Sequence, residues 1–207
     1  MPILDRIGVD LARRVSIEDG IMIAAENGIS YIDAQTDIAP NALESFDESR
    51  CAAIRDACAT NNIHLGLHTL SGVNVAEISP FLREATDAYL KAYVDLAKKL
   101  NAEWVVVHGG YHFTGCKEIR KQSSVDRLKR IVEYAEQKDV LLQLENLNSE
   151  PALAEVHYMP DTLEDTVWYF DQIQSDHLKW AFTINHAHYD AIGIAGFVDG
   201  MGMDRCD

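Results

Sequence analysis

Val140-Leu141-Leu142-Gln143-Leu144-Glu145 is the stretch on which the fold turns. Val140, Leu142 and Leu144 share one parity and Leu141, Gln143 and Glu145 the other, so a strand here turns one face to an apolar layer and ends the other on a carboxylate. Ile63 to His68 repeats the layout, with Ile63, Leu65 and Leu67 opposed to His64, Gly66 and His68. Both polar faces finish, at the C-terminal end, on a residue able to bind a metal. This is what a (β/α)8 barrel requires, because its strand side chains alternate between lumen and helix layer and its chemistry gathers where the strands end.

Outward from these two strands the same alternation continues. Arg6 to Asp10, Ser30 to Ala34, Trp104 to His108 and Trp180 to Ile184 bring the strand candidates to six, starting about 24 to 40 residues apart, the length of a strand-plus-helix unit. Between them Leu82, Ala85, Tyr89, Ala92, Tyr93, Leu96 and Leu100 form a stripe that predicts a helix over Ser79 to Leu100, with Pro80 in its first turn. Val125, Leu128, Ile131, Val132 and Ala135 predict a second, and Asp161 with Glu164 resembles a capping box opening a third that carries Val167 and Phe170. Helices are also expected near Ser16 to Glu26 and Leu43 to Asn61. The expectation is an α/β fold of (β/α)8 TIM-barrel type, one domain over residues 1–207 with about six β/α units present. Asp10-Leu11-Ala12-Arg13-Arg14 after the first strand offers no phosphate loop, and neither GxGxxG nor a Walker sequence occurs, which disfavours a Rossmann site.

The chain has 207 residues, 47% of them hydrophobic, enough for one sizeable core. Against the roughly 250 residues usual for a closed barrel it is short. Ile192 to Met201 reads as a helix leading toward a seventh strand, so the barrel is expected to lack its C-terminal strands, either because the chain is a fragment or with a partner or a second copy of the chain covering the open edge. Asp and Glu outnumber Lys and Arg by 33 to 18, a net charge of −15, and a phosphate backbone would meet repulsion. No nucleic acid partner is expected. No apolar run reaches the roughly 18 residues of a membrane span and no signal peptide opens the chain, so a cytoplasmic protein is expected, with Cys51, Cys58, Cys116 and Cys206 as reduced thiols.

Four residues fall where a barrel assembles its active site: His68 ends strand three, His108 strand four, Glu145 strand five, and His188 lies just past strand six. Any one of the histidines alone fits a structural role; their convergence on one rim points to chemistry. Imidazole with carboxylate suits Zn, Mn, Co or Mg according to the ratio, and such a site polarises a carbonyl or hydroxyl oxygen. Glu145, at the end of an apolar strand, needs a cation or a donor, because a carboxylate buried alone is costly. A lysine or arginine across the lumen would serve, as would a metal, in which case Glu145 could also exchange a proton with a substrate C–H. Asn148 follows closely, and the long segment Ser149 to Pro160 reads either as a solvated loop or as a substrate lid contributing Glu155 or His157. His64 and His177 are assigned to structure or surface, and Cys116 has no evident base beside it.

With these residues in place the sequence resembles the xylose isomerase-like TIM-barrel superfamily, the sugar phosphate isomerases and epimerases together with endonuclease IV-type enzymes. The resemblance rests on Leu67-His68-Thr69, Val105-Val106-Val107-His108-Gly109-Gly110, Leu144-Glu145-Asn146 and Thr183-Ile184-Asn185-His186-Ala187-His188. It implies that Glu145 is a divalent-metal ligand and one half of an acid/base pair. His188 would match the histidine of an Asp-x-x-His element, while His68 and His108 would match rim histidines that bind metal in the endonuclease branch and touch substrate elsewhere. Asn185 stands where the family has that Asp, and an amide is a poorer ligand for a hard cation than a carboxylate; as a substrate contact it remains a candidate. The family's remaining ligands, a histidine near strand seven and a glutamate on strand eight, would lie beyond Asp207. The implied reaction is metal-assisted 1,2-proton transfer in a sugar or sugar-like hydroxy-carbonyl compound. An endonuclease IV-like metal-dependent hydrolase and a non-catalytic sugar-binding paralogue are the alternatives.

Overall fold

A parallel sheet of six strands organises the chain, which the computed structural model describes over residues 3–206. The elements run β1 (Gly8–Asp10), α1 (Ile17–Glu26), β2 (Tyr31–Gln35), α2 (Glu48–Asn61), β3 (His64–His68), α3 (Pro80–Leu100), β4 (Trp104–Val107), β5 (Tyr111–Phe113), α4 (Lys117–Lys138), β6 (Leu142–Glu145), β7 (Val156–Tyr158), α5 (Leu163–Gln172), β8 (Leu178–Ala181), α6 (Ile184–Tyr189) and α7 (Gly193–Met201). The parallel sheet has the order β1-β2-β3-β4-β6-β8, the sequential order of a β/α barrel. All six expected strands are present.

Burial follows the parity read from the sequence. Leu65 and Leu67, like Leu142 and Leu144, are buried in the main core with Ile21, Ile54, Leu90, Val94, Leu128 and Ile131 of the surrounding helices. Lumen-facing Asp33, Trp104, Val106 and Gln143 instead border an open cavity of about 630 Å³ below the rim. The barrel is not closed among the described residues, where β1 and β8 do not pair. Beside β8 an isolated parallel bridge joins Trp180 to Cys206, at the position a seventh strand would take.

Several boundaries differ from expectation for identifiable reasons. The sixth strand ends at Ala181, and Ile184 already belongs to α6. α5 is capped by Thr162, whose hydroxyl accepts from the Asp165 N–H at 3.1 Å, rather than by Asp161 with Glu164. Leu43 to Asn61 divides into a 3-10 turn at Leu43–Ser45 and α2, because Asp47 caps a new helix by accepting from the Arg50 N–H. On α3, Leu82, Ala85 and Ala92 are exposed, and the buried stripe runs instead through Thr86, Leu90, Tyr93, Val94, Ala97 and Leu100. The segment Ser149 to Pro160 contains β7, which pairs antiparallel with β5 to form a small flap at the rim. Among the described residues no helix is long and apolar enough to cross a membrane.

Candidate metal centre

Three neighbouring strands bring His68, His108 and Glu145 to one point. His68 closes β3, His108 follows β4 and Glu145 closes β6; the register pairs Gln35 with His68 and His68 with Val106, and sets Glu145 opposite Ala181 on β8. His108 Nε2 lies 3.0 Å and His68 Nε2 3.6 Å from Glu145 Oε2, and the two imidazole nitrogens are 3.2 Å apart. Among the described residues no lysine or arginine pairs with Glu145, which removes the lumen salt bridge as its partner.

Hydrogen bonds behind the cluster fix which atoms face inward. The Thr69 hydroxyl donates to the Val106 carbonyl at 3.0 Å, so its oxygen is left to accept from His108 Nδ1 at 3.3 Å. Asp33 Oδ2 lies 2.8 Å from His68 Nδ1 and, as a carboxylate, can only accept. Both rings therefore carry a proton on Nδ1 and turn Nε2 toward Glu145. Glu145 Oε1 accepts from the Thr183 hydroxyl at 2.6 Å, which leaves Oε2 as the inward oxygen.

The electrostatics follow from this crowding. Burial opposes charge on His68, but Asp33 and Glu145 outweigh it and raise its pKa to about 10. Burial of His108 pushes that ring below the ordinary histidine value, with Glu145 opposing. Burial alone would raise the Glu145 carboxyl, yet His108 and His68 hold it far below the usual carboxylate range.

The donor set fits a divalent cation. His68 Nε2, His108 Nε2 and Glu145 Oε2 lie within 4.8 Å of one another, and both nitrogens can ligate once a cation displaces the proton that the raised pKa keeps on His68. Metal–ligand bonds near 2.1 Å place neighbouring ligand atoms about 3.0 Å apart at right angles and about 3.4 Å apart at tetrahedral angles; the observed 3.0 and 3.2 Å fall in that interval and 3.6 Å lies just beyond it. Two nitrogens with one oxygen suit Zn, Co or Mn better than Mg, which prefers an all-oxygen set.

The cluster opens into a cleft of about 240 Å³, walled by Gln35, Ser71, Asn148, Tyr158 and His186. Asn148 is thus at the cleft, its amide donating to Glu150 at 2.5 Å. The other expected contacts stand apart. Glu155 is exposed, and His157 stacks on His112 at 5.3 Å and meets the Ala154 carbonyl. The reason is the period of two in β7, which gives the cleft wall to Tyr158. Asn185 and His188 are exposed on α6, and the His188 ring lies against Tyr189. His186 takes the inward place, its Nδ1 donating to the Asn146 carbonyl at 2.9 Å and lying 3.6 Å from Glu145 Oε1. Asn146 braces this corner by accepting from Trp180 Nε1 and the Thr183 N–H and donating to the Thr183 carbonyl.

Comparison with known proteins agrees with this architecture. The family model described as a xylose isomerase-like TIM barrel matches residues 21–199. A D-psicose 3-epimerase from Clostridium cellulolyticum H10, solved with D-tagatose, superposes with a TM-score of 0.80 at 16% identity, over 96% of this chain and 70% of that one. A D-tagatose 3-epimerase-like protein gives 0.79 at 21% identity, over 96% and 72%. An L-ribulose 3-epimerase gives 0.73 at 14%, over 89% and 62%. No curated protein matches the chain.

Proposed function

The chain belongs to the xylose isomerase-like TIM-barrel family, and from that premise we propose that it is a sugar isomerase or epimerase acting by metal-assisted proton transfer at the rim of its sheet. The observation that carries the proposal is the convergence of His68 Nε2, His108 Nε2 and Glu145 Oε2 at the mouth of a polar cleft. Those three atoms would hold the cation, which when bound polarises a hydroxy-carbonyl group and stabilises negative charge on its oxygens. Glu145 stays ionised and is the base that takes the proton from the carbon beside the carbonyl. The Thr183 hydroxyl on its other oxygen keeps the carboxylate in one orientation. Gln35, Ser71, Asn148 and Tyr158 offer the neutral donors and acceptors that a polyhydroxylated ligand requires. The cation site as built does not call on Asn185, so the missing Asp of the family element is no obstacle to it.

The two-histidine, one-carboxylate donor set also supports a second reading, a metal-dependent hydrolase of the endonuclease IV type. The net charge of −15 opposes a nucleic acid substrate.

Proton transfer can be followed directly. Protein loaded with Mn²⁺, Co²⁺ or Zn²⁺ and incubated with ketohexoses in D₂O should introduce deuterium at the carbon adjacent to the carbonyl, detected by NMR. Glu145→Gln should lower that exchange by about 10²- to 10⁴-fold. Absence of exchange with every ketose and aldose tried, alongside cleavage of a phosphodiester, would replace the first reading by the second.

A further inference from the structure

We propose that Asp33, Gly66 and Trp104 form a brace inside the barrel lumen that fixes the ring of His68 and thereby tunes how tightly the rim site holds a divalent cation. The proposal rests on the metal reading above and adds residues that touch neither the cation nor the substrate.

The brace follows from register. Asp33 on β2 pairs with Gly66 on β3, and Gly66 pairs with Trp104 on β4, so the three residues form one row across adjacent strands on the lumen face. A side chain at the middle position would block the row. A Cβ on Gly66 would fall 1.9 to 2.4 Å from the Trp104 indole, closer than any tolerated contact, so the glycine exists in company with an indole lying across it. Spanning that gap, Trp104 Nε1 donates to Asp33 Oδ1 at 3.2 Å, while Asp33 Oδ2 receives the proton of His68 Nδ1 at 2.8 Å. Each carboxylate oxygen thus has one donor, and the second donor prevents Asp33 from rotating away from the first.

A carboxylate behind a ligating imidazole sets its tautomer, orients its plane and raises its basicity toward the metal. Asp33 is therefore a positioning residue, and Trp104 positions Asp33. An amide in place of Asp33 has a single oxygen and can satisfy only one of the two N–H donors; the other meets an NH₂ group. Among the described residues His108 has no such carboxylate behind it and Nδ1 meets the Thr69 hydroxyl instead, so His68 is the ring through which affinity can be adjusted from the lumen.

Co²⁺ binding tests the brace, read by calorimetry and by the visible absorption of the bound ion. Asp33→Asn should weaken Co²⁺ binding about 10- to 100-fold and alter the spectrum. Trp104→Phe, which keeps a ring over Gly66 and removes only the donor, should weaken it about 3- to 10-fold. Thermal unfolding of the metal-free proteins separates positioning from general damage, since a merely structural role would lower the melting temperature and leave the affinity and spectrum of the folded fraction alone. If wild type binds Co²⁺ and both variants bind it within twofold with an unaltered spectrum, the brace is overturned while the metal site stands. If wild type binds no Co²⁺, the metal reading fails and the brace falls with it. Should Asp33→Asn not fold, Trp104→Phe alone decides.

Discussion

The Asp165 cluster and the rim cluster both bury charge, and they are completed in different ways. Between α4 and α5, Asp165 receives Lys121 at 2.6 Å on one oxygen and Lys117 at 2.8 Å on the other, and Trp168 covers the Lys121 ammonium. The chain supplies every counter-charge there. At the rim, Glu145 meets the His68 ring, which its carboxylate neighbours keep protonated in the metal-free protein, and the His108 ring, and among the described residues no lysine or arginine joins them. Burial of charge is tolerable only when it is compensated. The first cluster is closed by fixed ammonium groups and reads as structure; the second is closed by a proton on His68 that a cation can displace, after which three ligand atoms face a common point.

Breaking the self-sufficient cluster should produce the largest change in stability. Asp165→Asn leaves the Lys121 ammonium buried without a counter-charge, a loss of about 3 to 5 kcal/mol, visible as a lower midpoint in urea. Co²⁺ affinity should be unchanged. A matching loss of affinity would mean that the two clusters are coupled and that the contrast between them is false.

The rim should respond oppositely. Saturation with metal at about a hundredfold over its dissociation constant stabilises the folded state by about 2.7 kcal/mol if the unfolded chain does not bind, so Co²⁺ should raise the melting temperature of wild type and of Asp165→Asn alike. In Glu145→Gln, which lacks the anionic ligand, the rise should largely vanish. An undiminished rise in that variant would place the ion elsewhere.

Acid sharpens the contrast further. Burial would raise the Asp165 carboxyl, but Lys117 and Lys121 hold it below the ordinary value. A carboxyl depressed on folding contributes stability that is fully present above the unfolded pKa of about 3.9 and is lost as pH falls through the folded one. The stability gap between wild type and Asp165→Asn should therefore be flat from neutrality down to about pH 5 and close below about pH 4. A gap that closes near neutrality would show that another group carries the effect.

What the sequence discloses of all this depends on period and chain order. Strand parity places Glu145 and His68 at one rim, because a residue at the end of an alternating strand has a fixed side and a fixed end, and His108 joins them by ending the strand between. Asp33 is different: nothing in Ser30 to Ala34 says which residues of β3 and β4 lie beside it, and its tie to Trp104 across Gly66 exists only once register is known. The flap is hidden for a similar reason, since β7 is three residues long and finds its partner, β5, 45 residues earlier. Reading those residues as loop assigns the cleft to Glu155 or His157, whereas strand alternation assigns it to Tyr158. For α5 the expected cap, Asp161, gives way to its neighbour Thr162, whose hydroxyl is the group in range of the Asp165 N–H.

The smallest expected effect concerns the end of the sixth strand, where one misplaced boundary exchanges two histidines. An extended chain through Ile184 carries His188 just beyond the rim. With β8 ending at Ala181 and α6 beginning at Ile184, positions 186 and 188 are separated by about 200° around a helix, so when His186 faces Glu145, His188 faces solvent. His188→Ala should accordingly change Co²⁺ affinity less than about twofold, in keeping with the small effect of exposed substitutions. His186→Ala removes a ring from the cleft wall and frees the Asn146 carbonyl, and should alter substrate exchange more than metal affinity. If His188→Ala instead weakens Co²⁺ by an order of magnitude, α6 rotates or unwinds when the cation binds, and the rim is less preformed than its three converging strands imply.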